Sequence, residues 1–168
     1  MAFAEVSNIL WRERQLLELL QFKLEEEQLV LSSGKARWLT HATREVEMVL
    51  EEIRKAELTR AMEVTALGAQ LGLGADPTLT DISNAAPTPW DGIFEEHRRA
   101  FLAATQDIQG LANVNRDLLA AGLQATQQAL EWAVGSADDV PDLDVYTPQG
   151  TAAVSRQEPK ARLLNEAL

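Results

Sequence analysis

Between residues 3 and 31 the apolar side chains fall at Phe3, Val6, Leu10, Leu17, Leu20, Leu24 and Leu31, a spacing of three and four that only Glu13 and Glu27 interrupt. Such spacing lays one apolar stripe along a helix. A second row at Ile9, Leu16, Leu19, Phe22, Leu29 and Val30 widens the stripe, so a helix over 3–31 should meet more than one neighbour. Ser32-Ser33-Gly34 favours leaving one helix and capping the next, which predicts a tight helical hairpin. The returning helix is expected over 35–69, with Trp38, Leu39, Ala42, Val46, Val49, Leu50, Ile53, Leu58 and Leu67 facing inward and Glu45, Glu51, Glu52, Arg54 and Lys55 facing out. Gly68, Gly72, Gly74 and Pro77 end it. Thr78-Leu79-Thr80-Asp81 has capping-box spacing and predicts a helical turn over 79–84, before a loop at Ala86-Pro87-Thr88-Pro89.

A third helix is predicted over 89–134. Thr88 supplies its cap, Pro89 takes the position where a missing N–H costs nothing, and Asp91, Glu95 and Glu96 face the positive end of the helix dipole. Phe94, His97, Phe101, Ala104, Ile108, Leu111, Asn115, Leu118, Gly122, Ala125, Ala129 and Trp132 then keep an unbroken alternation of three and four, the spacing of a heptad seam. At 1.5 Å per residue the three helices should span about 40, 50 and 65–70 Å. In an up-down-up arrangement the third outruns its partners, and the overhang is expected at Leu118–Val134, beyond the Ser32–Gly34 turn. Leu118, Leu119, Leu123, Leu130 and Trp132 are the apolar groups that such an overhang would leave uncovered, and an uncovered stripe marks a binding surface. Gly135 stops the pattern. The expected fold is therefore all-α: three long helices in an antiparallel hairpin and coiled-coil bundle over 1–135. A mostly disordered acidic tail over 136–168, with a transient turn at 161–168, should follow.

Composition narrows the functions open to this fold. At 168 residues the chain fits a single helical domain with a tail. Its net charge of −11 is concentrated beyond residue 70. A nucleic acid or an anionic membrane needs a basic stripe, and the one candidate is the pair Arg98-Arg99, so neither is an expected partner. The absence of cysteine removes disulfides and thiolate metal sites. The first residues lack a basic and then apolar leader, and no run of 18 apolar residues occurs. The expectation is a cytoplasmic protein without membrane insertion.

Catalytic chemistry finds no foothold. His97 lies on the seam of the third helix, where a polar residue usually fixes register or partner rather than binding metal. His41 has Glu45 one turn later, a pairing common on solvated helix faces. Gly72-Leu73-Gly74 starts like a dinucleotide loop, but Pro77 takes the place of the third glycine and a helix precedes it. Asp142-Leu143-Asp144 starts like a calcium loop, yet Tyr146 and Thr147 stand where a ligand and the turn glycine belong. No enzyme, metal site or cofactor is expected. Asn115, mid-seam, either marks the interface with a partner helix or hydrogen-bonds within the chain. Tyr146, the single tyrosine, is a candidate docking anchor in the acidic tail.

Leu16-Leu17-Glu18-Leu19-Leu20, Lys23-Leu24-Glu25-Glu26-Glu27, Glu57-Leu58-Thr59-Arg60 and Leu71-Gly72-Leu73 occur in this order, followed by Leu79-Thr80-Asp81-Ile82 and Asn115-Arg116-Asp117-Leu118-Leu119. With Tyr146-Thr147-Pro148-Gln149-Gly150 they resemble the FlgN family of flagellar type III export chaperones, in its high-GC Gram-positive form, over about residues 8–150. That resemblance implies a chaperone that holds the hook–filament junction proteins FlgK and FlgL by their C-terminal helices and delivers them to the flagellar export gate. It implies client contact through Leu118, Leu119, Leu123, Leu130 and Trp132, contact with an export-gate component through Tyr146, and no cofactor. A coiled-coil homodimeric scaffold with no part in secretion is the alternative that the long seam and Asn115 also accommodate.

Overall fold

The computed structural model describes residues 2–137. The fold is all-helical. Among the described residues lie α1 (Ala2–Ser32), a 3₁₀ turn (Ala36–Trp38), α2 (Leu39–Gln70), α3 (Leu79–Ala85) and α4 (Trp90–Ala137). The chain divides into two compact units, Met1–Thr126 and Gln127–Leu168, and α4 crosses that boundary. α4 runs through Gly135, where the sequence pattern stops, to Ala137, so residues 136–137 of the tail expected over 136–168 are helical and its remainder lies outside the described residues.

Local chemistry sets the ends of the helices. Gly34 turns the chain after α1 with φ 66°, a left-handed backbone that suits a residue without Cβ. The pattern of the sequence starts the second helix at Lys35, but the structure starts α2 at Leu39. Trp38 N–H donates to the Lys35 carbonyl at 3.0 Å, closing a tighter turn first. At the other end of α2, Leu73 N–H donates to the Gly68 carbonyl and Gly72 N–H to that of Ala69, with Gly72 at φ 74°. This double closure is a Schellman motif, and the glycines that begin like a dinucleotide loop terminate a helix. Gly68 is required by proximity, since a Cβ there would lie 2.4 Å from Pro77 Cγ. The expected turn at 79–84 is the helix α3, closed by a capping box in which Thr78 N–H donates to Asp81 at 2.9 Å and Asp81 N–H to Thr78 Oγ1 at 3.2 Å. α4 begins at Trp90, one residue after Pro89, where Trp90 N–H donates to the Pro87 carbonyl.

Three sets of contacts orient the long helices. Arg60 meets Glu13, Lys23 meets Glu45 and Thr43 meets Glu27, so α1 and α2 run antiparallel. Ser7 meets His97, Gln21 meets Asp107 and Asn115 meets Leu24 and Glu27, so α4 runs parallel to α1. Along this frame apolar and polar layers alternate. Val6, Leu10, Val64, Leu67, Ile82 and Phe94 form the first core, which α3 closes from the side. Leu20, Leu24, Val46, Val49 and Ile53 form the second, with Ile108 and Leu111 of α4 packed on it. Each fully buried large side chain contributes about 1.5–3 kcal/mol relative to exposure. Trp38 and Leu58, expected to face inward, are exposed at 48% and 69%. Trp38 belongs to the 3₁₀ turn, and Leu58 sits five residues past Ile53, off the three-four stripe that continues to Val64 and Leu67.

The polar layers lie where the first stripe is interrupted. Glu13 is buried with Arg60 Nε 2.9 Å from its carboxylate, although neither atom reaches hydrogen-bond geometry. Burial pushes the Glu13 carboxyl above its ordinary value, and Arg60 opposes the shift. Glu27, also buried, accepts from Thr43 Oγ1 at 2.8 Å and from Asn115 Nδ2 at 2.9 Å, and the same amide nitrogen donates to the Leu24 carbonyl. Asn115 is thus satisfied through its donors within the chain, while its Oδ1 has no partner; it ties α4 directly to α1, and through Glu27 to Thr43 of α2. His97 is buried between Ser7, 3.3 Å from its Nε2, and the edge of the Trp11 ring, while its Nδ1 has no partner. Burial and then the nearby Arg14 hold its pKa below the ordinary histidine value, against the pull of Glu96.

Asn115→Leu strips Glu27 of a donor while leaving it buried, and should lower the unfolding free energy in urea by about 2–4 kcal/mol. Adding Glu27→Leu should recover part of that loss, giving a double-mutant coupling above about 1 kcal/mol; additive effects would contradict the tie described here. The depressed pKa of His97 adds stability that is present above its unfolded value of about 6.5 and is lost as the pH falls through the folded value. The thermal midpoint should therefore drop between about pH 7.5 and about pH 5.5 in the native chain and drop less in His97→Gln. Protonation of Glu13, whose pKa is raised, acts in the opposite sense in both proteins and cancels in the comparison.

Candidate functional site

The seam of α4 is covered only in part. Phe94, His97 and Asn115 are buried, and Phe101, Ala104, Ile108, Leu111 and Leu118 are half-buried, whereas Gly122 and Ala125 are exposed. The cause lies in the register that Asn115 sets. With residue 115 beside Leu24 and Glu27, the next two turns of α4 draw level with the end of α1 and the reversal of the hairpin. There the partner helices end and the seam continues.

An apolar cleft of about 390 Å³ occupies this junction. Val30 and Leu31 from the last turns of α1, Gly34 and Ala36 from the reversal, and Leu39 from the start of α2 form one wall. Leu118, Leu119, Gly122, Leu123 and Thr126 of α4 form the other. Gly122 opens the second wall, since no atom lies within 4 Å of the point where its Cβ would stand. Thr126 turns its hydroxyl back to the Gly122 carbonyl at 2.9 Å, which leaves its methyl as the group available to the cleft. Leu119 and Leu123 are 42% and 62% exposed.

Leu118, Leu119 and Leu123 thus flank the end of the hairpin, where the sequence placed them beyond it. The residues of the reversal add height to the hairpin, so the overhang does not begin at Leu118. Leu130 and Trp132 belong to the second unit, 61% and 76% exposed. Tyr146 lies outside the described residues, as does the Asp142–Asp144 segment. The sequence pattern placed Val30, Leu31, Leu39 and Gly122 on helix faces without marking them as binding residues, and it left Ala36 and Thr126 unnamed. The usable signal was the small residue in the seam at Gly122, where α4 has no side chain to fill the gap.

The remaining candidate residues make local contacts. His41 is exposed, its ring 5.8 Å from that of Trp38. Arg98 and Arg99 both bind Glu95, at 2.7 and 2.8 Å, so the basic pair is spent on a neighbour one turn away. Those two bonds hold the Glu95 carboxyl at about 2. Among the described residues no cluster of His, Cys, Asp and Glu could hold a metal ion, and no helix is long and apolar enough to cross a membrane. The arrangement offers apolar contact and shape, the means of holding another segment of polypeptide.

No curated protein and no solved structure matches the chain. The model of the family described as FlgN protein matches residues 1–153, and the chain therefore belongs to the FlgN family of flagellar export chaperones.

Proposed function

We propose that this chaperone acts in the cytoplasm on the hook–filament junction proteins FlgK and FlgL, gripping their amphipathic C-terminal helices and delivering them to the flagellar export gate. The observation that carries the reading is the unfilled apolar cleft at Leu118, Leu119 and Leu123, on a helix whose seam outlasts its partners. A client helix would set its apolar side chains into the cleft as the missing member of the bundle, which keeps that surface from premature assembly. Leu130 and Trp132 are proposed as further client contacts and Tyr146 as the contact with the gate. Holding and release need no cofactor, because transfer to a better partner completes the cycle. The homodimeric scaffold is the weaker reading, since Asn115, which an intermolecular seam could have employed, donates to Leu24 and Glu27 of its own chain.

Calorimetric titration with a peptide of the FlgK C-terminal helix should give saturable one-to-one binding. Leu123→Asp and Leu130→Asp together should weaken it at least about a hundredfold with helicity retained, because each places a charge where apolar contact forms. Absence of binding to FlgK and FlgL peptides, beside a stable dimer in sedimentation, would favour the scaffold.

A further inference from the structure

The cleft has a charge character opposite to that of the whole chain. From Gln28 to Arg44 no acidic residue occurs, while Lys35, Arg37 and Arg44 do, in a protein of net charge −11. On the facing wall, Leu118 to Thr126 carries no charge, and the adjoining Arg116 and Asp117 offset each other. Lys35 stands between two residues that line the cleft, Gly34 and Ala36, and Arg37 follows directly. All three cations of the hairpin end are exposed.

They are also unspent. Elsewhere Arg14, Lys23, Arg54, Lys55, Arg60, Arg98 and Arg99 each have a carboxylate within ion-pair distance. Among the described residues Lys35, Arg37 and Arg44 have none; Arg12 and Arg116 also have none, but each adjoins an acidic residue, Glu13 and Asp117, whereas Lys35 and Arg37 lie well inside the stretch without acids. The Arg37 guanidinium lies 5.0 Å over the Trp38 ring, and with no ion pair its N–H groups are open to a carboxylate. An apolar slot whose hairpin wall, Gly34, Ala36 and Leu39, is interleaved in sequence with the exposed, unpaired Lys35 and Arg37 is complementary to an apolar stripe flanked by acidic side chains. Because screening confines such effects to within about 8 Å at physiological salt, the local cations outweigh the distant net charge.

We propose that the cleft selects an amphipathic helix with an acidic flank, which Lys35 and Arg37 recognise beside the apolar contact; this deepens, and rests on, the client-helix function proposed above.

Three synthetic helical peptides test it, alike in leucines spaced i, i+3, i+4 and i+7 and differing only in polar positions that are all glutamate, all glutamine or all lysine. Titrated into the full chain at about 50 mM salt, the glutamate peptide should bind about tenfold tighter than the glutamine one, with the lysine peptide weakest. The gap should close at about 500 mM salt. Lys35→Glu with Arg37→Glu, both exposed and without an ion pair, should abolish or invert the order while circular dichroism is unchanged.

A lysine peptide that binds as tightly as the glutamate one, or an order that survives the double reversal, overturns the proposal. Equal binding of all three that Leu123→Asp abolishes overturns the acidic preference and leaves the client-helix function standing. Failure of all three to bind overturns the acidic preference, and the client-helix function falls with it only if the FlgK and FlgL peptides also fail; a dimer that Leu123→Asp dissociates would then assign the cleft to a second copy of the chain.

Discussion

Asn115 donates from one amide nitrogen to the Leu24 carbonyl and to Glu27, and Glu27 accepts on its other oxygen from Thr43. Three helices meet at one buried carboxylate. A shift of α4 by a single helical turn, about 5.4 Å, would leave that carboxylate without its amide and the amide without a carbonyl. Apolar seams alone tolerate such slippage, because one leucine replaces another at little cost. The polar tie does not, and the position of everything downstream on α4 follows from it, including which residues face the end of the hairpin.

Register and length together then create the cleft. α1 stops at Ser32 and the reversal occupies the next few residues, while α4 continues. Within the first unit the seam therefore reaches Gly122 and Ala125 exposed, at the level where α1 has ended. A helical bundle that finished all its members at one level would bury this seam and leave nothing to offer a client. The unequal ends leave an apolar packing surface open with no change in the type of residue used, and the proposed client contact needs an open slot of this kind rather than an enclosed pocket, since what is held must be released.

The polar layers serve stability and specificity in different measure. Glu13 with Arg60 is a buried pair in contact but outside hydrogen-bond geometry, and its raised pKa shows that burial outweighs the partner. Glu27, by contrast, accepts two well-formed bonds. The first acts as a spacer between two apolar cores, the second as the register mark. His97 adds a third polar point, near the opposite end of the α1–α4 contact, where one ring nitrogen meets Ser7 and the other has no partner. The exposed cations of the hairpin end are free for a different reason, since the acidic residues that neutralise other cations are missing from that stretch of sequence.

Most of the helical architecture was legible in the sequence, because helix formation and termination are local. The three-four spacing of leucines, the glycines at 34 and 72 and the capping box at Thr78 each act within a few residues: α1 and α2 end two residues before those glycines and α3 starts directly after Thr78. Trp38 and Leu58 were misplaced because facing depends on the phase of the stripe, which the 3₁₀ turn and the five-residue step after Ile53 shift. Glu13 and Glu27 read as interruptions in one helix, since the sequence does not show that Arg60, Thr43 and Asn115, dozens of residues away, come to meet them. The cleft was out of reach for the same reason. Its leucines on α4 could be named, but Val30, Leu31, Ala36 and Leu39 join them only once the register of α4 is known. Periodicity determines which residues share a helix face; only tertiary packing, through contacts between residues up to 91 positions apart such as Leu24 and Asn115, decides where one face ends against another and what remains open.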